Sequence, residues 1–357
     1  MNIAIDISPL KSGHYLQHRV RGTGFYLINL QKSLEEYFPE NKYNYFNRGE
    51  VVSKDIDVIH YPYFEPFFLT LPFFSHNKKV VTVHDLTPLV FPGHFRSGLK
   101  GAIKWQIQKA ALRSSNAIIT DSESSKKDII KYAGVDSHKI KVVYLAAGSE
   151  FRKLEIKNLK LEIKKRYGLP DRFALYVGDA TWNKNLPRLI KAVTKIKIPL
   201  VMVGKALVEK KFDKKNPWNK DLVEVQTLID SNKNIFSLGF VPTGDLVSLY
   251  NTATLLAMPS IYEGFGLPIL EAMSCGCPVV TSAEGSLSEV VGEAGKYVDP
   301  YDVESIANGI AQVFNNKDLQ KELSWKGIVQ SKKFTWRRTA EETVSVYKGI
   351  VNDVKGI

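Results

Sequence analysis

The chain has 357 residues, 44% of them hydrophobic and 24% charged, a balance that excludes general disorder and a fibrous protein. That length suits two domains of ordinary size, each with its own core. Lys and Arg number 49 against 37 Asp and Glu, a formal charge of +12, which favours anionic partners: nucleotides, nucleic acid or an acidic membrane surface. Two cysteines in one short segment, Cys275 and Cys277, exclude a disulfide framework. No apolar run reaches the roughly 20 residues of a spanning helix, and no signal peptide precedes Ile3, so the expected location is cytoplasmic.

Short β-branched runs alternate with helix-period segments. Asn2–Ile7 reads as a buried first strand stopped by Ser8-Pro9. After a loop rich in Gly, His and Arg, a helix is predicted to open beyond Gly22-Thr23-Gly24, with Phe25, Ile28, Leu34 and Tyr37 as its apolar stripe. Strands follow at Val58-Ile59, Val80–Val83, Ala117–Thr120 and Ile140–Tyr144, with a helix at Leu99–Arg113 and capping residues at Asp121–Ser124. The segment Glu155–Tyr167 turns strongly charged, and Leu169-Pro170-Asp171 breaks it. A second series then gives strands at Phe173–Val177, Leu200–Val203, Ile235–Leu238, Thr254–Met258 and Pro278–Thr281. Its helices are predicted at Leu186–Ala192, Asp245–Tyr250, Pro268–Met273 and Val303–Phe314. Two successive βα series imply two doubly wound parallel sheets with ligands at the carboxyl ends of the strands.

Several motif matches fail. Gly22-Thr23-Gly24 begins like a dinucleotide fingerprint, but Leu27 stands where the third glycine belongs. Gly292–Tyr297 imitates a phosphate loop but is too short and lacks the Ser or Thr. Asp55-Ile56-Asp57 reads as an exposed turn rather than a metal site. The seven histidines show no ligand spacing, so no metal is expected.

The informative stretch runs from Glu263 to Glu271, two carboxylates eight positions apart, after a strand and into a helix. Gly264 and Gly266 let the backbone approach a ligand. The helix start aims free N–H groups and its dipole at a diphosphate. A carboxylate accepts from vicinal hydroxyls and repels phosphate, so each Glu suits a sugar ring while backbone amides suit the phosphates. The segment Gly178–Asn185 is again strand, loop and helix start, and Lys184 there can neutralise a diphosphate leaving group. Lys184→Ala is therefore expected to reduce turnover with little loss of folding.

These residues resemble retaining glycosyltransferases of family GT4. Glu263–Glu271 matches that family's E-x7-E motif, and Val177-Gly178 with Lys184-Asn185-Leu186 is similar to its VG…RKNL segment, with Asn183 in place of the Arg. Gly239-Phe240-Val241-Pro242 followed by Asp245-Leu246, and Ser286–Gly292 through Val298-Asp299-Pro300, resemble further motifs, with Ser288 replacing a Pro. His84-Asp85-Leu86-Thr87-Pro88 and Gly22–Tyr26 match weaker ones. The resemblance implies the GT-B fold: two Rossmann-like doubly wound domains, 1–153 on the acceptor side and 154–338 binding the nucleotide sugar, facing a central cleft. A final helix, 339–357, is implied to return to the first domain.

Residue by residue, the resemblance implies that Glu271 binds the ribose, Glu263 the transferred hexose and Lys184 the diphosphate. Amides at Gly264, Phe265, Gly266 and Leu267 are implied to contact sugar or phosphate, as are Gly178 and Asn185 from the neighbouring loop. Gly239, Phe240 and Val241 are implied to lie near the base. His84, with Asp85 beside it, is placed by the resemblance at the anomeric carbon, and the Gly22–Gly24 loop near the diphosphate; closure of the domains would bring His84 toward the Glu263 loop. The expected activity is transfer of a hexose, guessed as mannose, from a nucleotide-diphosphate sugar to a glycan or lipid-linked glycan. No metal or other cofactor is implied. The alternatives are a GT-B nucleotide-sugar hydrolase or epimerase and a nucleic-acid-binding protein, the latter disfavoured because no recognition motif emerges. Residues 86–120 contain no Asp or Glu, whereas Arg96, Lys100, Lys104, Lys109 and Arg113 all occur there. That basic, amphipathic segment suits either an anionic membrane or a solvated helix face. The Lys11–Arg21 loop is a second basic candidate, for acceptor phosphate.

Overall fold

The computed structural model describes residues 1–11, 20–72, 77–155 and 159–352. They divide into two units, one of residues 1–146 with 334–357 and the other of residues 147–333. Both divisions fall a few residues before the predicted 153/154 and 338/339. Tyr144 and Phe334 stack edge to face at 5.6 Å, and Thr339 Oγ1 donates to the Tyr144 carbonyl at 2.7 Å. These contacts hold the chain's two ends of the first unit together ahead of the helix proper.

In the first unit six parallel strands lie in the order β2-β1-β3-β4-β5-β6. They are β1 (Asn2–Asp6), β2 (Lys42–Phe46), β3 (Val58–Tyr61), β4 (Lys78–Val83), β5 (Ala117–Thr120) and β6 (Ile140–Val142). Ile3, Ile5, Val80, Val81, Val83 and Ile118 have no solvent exposure, as strands covered on both faces require. The register pairs Val83 with Thr120, so the residues that follow, His84 and Asp121, leave the sheet side by side.

The first helix runs Val20–Tyr37. Gly22 and Gly24 are therefore inside its opening turns and form no loop, which corrects the predicted start. Burial of Tyr26, Leu27, Leu30 and Leu34 outweighs the poor helix propensity of glycine. Ile28 and Tyr37 of the predicted stripe point outward. The Lys11–Arg21 loop lies largely outside the described residues. The closing helix, Trp336–Asn352, packs on the first helix, where Trp336 meets Phe25 at 6.0 Å.

The second unit has the order β12-β11-β10-β7-β8-β9, also parallel. Its strands are β7 (Ala174–Val177), β8 (Leu200–Val203), β9 (Ile235–Gly239), β10 (Leu255–Met258), β11 (Val279–Thr281) and β12 (Gly295–Tyr297). This is the 3-2-1-4-5-6 Rossmann order, whose direction reverses between its first and fourth strands. Those are β7 and β10, registered Ala174 to Leu255 and Leu175 to Leu256. The loops after Val177 and Met258 therefore flank the crevice in which open α/β sheets bind ligands. The Gly292–Tyr297 stretch that imitates a phosphate loop ends in the edge strand β12.

Candidate functional site

Three hydrogen bonds lace the two loops together. Ile261 N donates to the Asn183 carbonyl at 2.7 Å, Asn183 Nδ2 to the Tyr262 carbonyl at 2.9 Å, and Asn185 Nδ2 to the Pro259 carbonyl at 2.9 Å. Asn185 has φ 59°, a left-handed conformation that Asn tolerates better than most residues. It lies between a turn of 3-10 helix, Trp182–Lys184, and the helix Leu186–Lys195. Its side chain also bonds the Pro300 carbonyl at 2.6 Å and accepts from Arg188. Asn185, predicted as a binding residue, thus fixes the loop that presents its neighbour Lys184.

Lys184 Nζ donates to both oxygens of Glu263, at 2.8 and 2.6 Å. The lysine side chain is 19% exposed and the glutamate 8%, so the pair sits in a largely water-excluded place. Ser286 anchors the loop by donating its N and Oγ to the Glu263 carbonyl at 3.2 and 3.0 Å. Sequence reading assigns the two side chains to separate ligand groups, and the structure joins them. Beyond Glu263 the chain turns through Gly266, at φ 98°. That backbone angle favours glycine, and a Cβ there would also crowd Leu287 Cδ2 at 3.0 Å. The helix Leu267–Ser274 starts with no side-chain cap, and Pro268 is its second residue. Pro268 has no N–H, and Ile269 N and Leu270 N donate to the Gly266 carbonyl at 3.0 and 3.3 Å, so the Leu267 amide and the helix dipole are what this start can offer a phosphate.

Glu271, on the same helix, is buried, and Tyr250 Oη donates to its Oε2 at 2.9 Å. Burial, then the negative charge of Glu271, push the Tyr250 phenol well above its ordinary range, so it stays a donor. Nothing in the local sequence marks Tyr250, 21 positions from its partner. Gly178 follows β7, and Tyr176 Oη donates to the Asp179 carbonyl at 2.6 Å. A Cβ on Gly204 would lie 2.1 Å from the Gly178 carbonyl oxygen, so Gly204 has to be bare where it passes this turn. Gly239 ends β9, Phe240 is largely exposed and Val241 is buried.

In the first unit, His84 Nδ1 and Asp121 Oδ2 are 2.7 Å apart. Sequence reading counts Asp121 among the capping residues; Ser122 makes the cap, accepting from Ser125 N at 3.0 Å. Tyr26 stands edge-on to the imidazole at 5.0 Å, and Ser125 Oγ donates to the His84 carbonyl at 3.0 Å. Burial opposes charge on His84, but the Asp121 carboxylate and its hydrogen bond outweigh it and hold the imidazole above its usual range. Asp85 Oδ1 accepts from Thr87 N at 2.8 Å, which fixes the turn after His84. Deeper in this unit, His60 bonds Thr82 Oγ1 at 2.8 Å and Tyr347 Oη at 2.7 Å. Burial pushes its imidazole down to about 3.

Cys275 and Cys277 are buried thiols. The Asp57 carboxylate accepts from Asn2 N at 2.8 Å, which ties the segment before β3 to β1. No helix among the described residues is long and apolar enough to cross a membrane.

Two family models match the chain: Glycosyl transferases group 1 over residues 159–329 and Glycosyltransferase Family 4 over residues 19–147. The chain is 32% identical over 282 residues to O-antigen chain mannosyltransferase B of Escherichia coli, covering 76% of this chain and 70% of that one. It is 29% identical over 270 residues to the serotype-specific mannosyltransferase WbdA of Escherichia coli. That match covers 74% of this chain, but the chain spans only about a third of the relative's length, 32%. Among solved structures, Anabaena Alr3699/HepE in complex with UDP and glucose superposes with a TM-score of 0.71 at 18% identity, covering 100% of both chains.

Proposed function

The chain belongs to the glycosyl transferases group 1 family, with the GT-B architecture of two parallel six-stranded sheets, and on that premise we propose which substrates this glycosyltransferase takes and how it acts. The donor is a nucleotide-diphosphate sugar, and the transferred hexose is mannose. The O-antigen and serotype-specific relatives, named as mannosyltransferases, support mannose. The acceptor is a growing glycan or lipid-linked glycan of a cell-surface polysaccharide, and the reaction runs in the cytoplasm at the membrane's inner face.

The observation that carries this reading is the convergence of Lys184, Glu263 and the uncapped helix start at the strand-order reversal of the second unit. There the helix dipole, the Leu267 amide and Lys184 stabilise the diphosphate, and Glu271, steadied by Tyr250, takes the ribose hydroxyls. Glu263 turns from Lys184 to the hexose as the lysine turns to phosphate. The amides of Gly264, Phe265 and Leu267 serve the same ligand, and Gly239, Phe240 and Val241 the base. In the first unit the His84–Asp121 pair is the proposed catalytic contribution.

Glu271 is held by Tyr250 and Glu263 is assigned to the hexose hydroxyls, so the reaction proposed uses no carboxylate nucleophile. The bond from the anomeric carbon to the diphosphate breaks, the acceptor hydroxyl adds on the same face, and its proton passes to the departing phosphate oxygen. The configuration is retained, and Lys184 with the helix dipole supplies the charge that a metal ion would otherwise supply. The test is a thermal-shift screen against nucleotide sugars, followed by transfer of labelled sugar to a glycan extract. A ligand at about 100 times its dissociation constant adds roughly 2.7 kcal/mol. Stabilisation by GDP-mannose with transfer of label supports the reading; release of free sugar with no transfer would mark a hydrolase instead.

A further inference from the structure

The helix Gly98–Arg113 packs Ala111, Leu112 and the half-buried Trp105 on the core of the first unit and is tied there by polar bonds. Gln108 Oε1 accepts from Thr70 N at 2.8 Å, Thr70 Oγ1 at 2.9 Å and Leu71 N at 2.9 Å. Lys79 Nζ donates to the Ala111 carbonyl at 2.7 Å, and Gly101, Ala111 and Leu112 are buried. The aliphatic residues at i, i+4 and i+8 on the other side face outward. Leu99 is 85% exposed, Ile103 60% and Ile107 37%, where an ordinary surface helix carries charge.

Cations edge this stripe. Lys100 is exposed beside Leu99, and Lys104 reaches over the Phe68 ring at 5.7 Å. No acidic residue occurs anywhere in residues 86–120. Apolar side chains framed by lysines, without acids, are the chemistry of an anionic bilayer interface. A second copy of the chain would set lysine against lysine across a two-fold contact.

The helix carries the chain from the carboxyl end of β4 back to the start of β5, so it runs antiparallel to the strands. Leu99 therefore lies at the edge of the sheet where His84 and Asp121 emerge, and exposure of the stripe rises toward that edge. We propose that the Leu99–Ile103–Ile107 face seats the first unit on an anionic lipid surface. A lipid-linked acceptor would then meet the carboxyl edge of the sheet while its lipid stays in the bilayer, a consequence that rests on the function proposed above.

Flotation of the full chain with vesicles of phosphatidylglycerol and phosphatidylcholine tests this, against vesicles of phosphatidylcholine alone. The mixed vesicles should carry the chain at low salt, and the neutral ones should not. Lys100→Glu with Lys104→Glu should lower partition about tenfold or more. Leu99→Ser with Ile103→Ser should lower it comparably with an unchanged melting temperature, since both residues are exposed. A chain that stays with buffer, or variants that float like the wild type, would overturn the proposal. So would a concentration-dependent dimer that Leu99→Ser abolishes while flotation persists, which would make the face a self-contact. Flotation needs neither donor nor acceptor, so a failure of sugar transfer with intact flotation counts against the enzymatic reading alone.

Discussion

Replacing Lys184 with alanine would remove both hydrogen bonds that the lysine makes to the Glu263 carboxylate. That carboxylate is 8% exposed and would be left as a buried charge without its cation. Breaking a fully buried pair in this way costs about 3–5 kcal/mol. The lysine's 19% exposure admits some water to the gap, which places the loss near about 2–3 kcal/mol. For a unit of this size the shift in melting temperature is roughly 5–10 °C. Glu263→Gln should cost less, because it removes the charge that needs a partner, and Lys184→Ala combined with Glu263→Gln should melt close to Glu263→Gln alone. Differential scanning calorimetry of the four proteins completes a double-mutant cycle, with a coupling of about 2–3 kcal/mol expected. A Lys184→Ala protein that melts with the wild type, or a cycle that closes at zero, would refute the pairing as an energetic unit. The result also separates this reading from the sequence-based one, in which the lysine serves only the ligand and its removal leaves folding intact.

Two further outcomes are expected. His60 is buried with its imidazole pushed down to about 3, against roughly 6.5 in an unfolded chain. Below that value the unfolded state binds the extra proton, so stability is full above it and falls as the pH drops, by about 2 kcal/mol at pH 5. His84, raised by Asp121, acts in the opposite sense, so the measurement is the difference between wild type and His60→Gln in urea unfolding at pH 7 and pH 5; equal pH dependences would count against it. Tyr250→Phe removes one hydrogen bond from Glu271 and should weaken nucleoside-diphosphate binding about fivefold. Calorimetric titration should show no such loss for the 2′,3′-dideoxy analogue, and equal weakening of both would remove the link between Tyr250 and the ribose.

What was legible in the sequence was local. The buried strands announce themselves as apolar runs, and the loop from Glu263 to Glu271 carries its glycines, proline and carboxylates within nine consecutive residues. β2 was not legible: Lys42 and Asn44 alternate with tyrosines in a strand that is largely half-exposed at the sheet edge, so it shows no apolar run. The outward turn of Ile28 and Leu99 was equally hidden, because periodicity does not say which of two apolar stripes finds the sheet. The pairings that organise the sites join distant positions. Lys184 and Glu263 are 79 residues apart and His84 and Asp121 are 37 apart. In each pair, strand neighbours in the sheet carry the two loops together, and that adjacency is a property of strand order.

The chain enters the second unit after Ala146 and leaves it before Phe334, so the first unit is sewn from two separate stretches. On the ribosome, residues 147–333 can complete their sheet while the first unit still lacks the helix that covers it. Tyr347, the partner of His60, emerges only after the whole of the second unit, and until then that imidazole and the face of the first helix beside it lack the helix that packs on them. The helix Trp336–Asn352 is thus the closing stitch of a unit whose sheet was made before the second unit began.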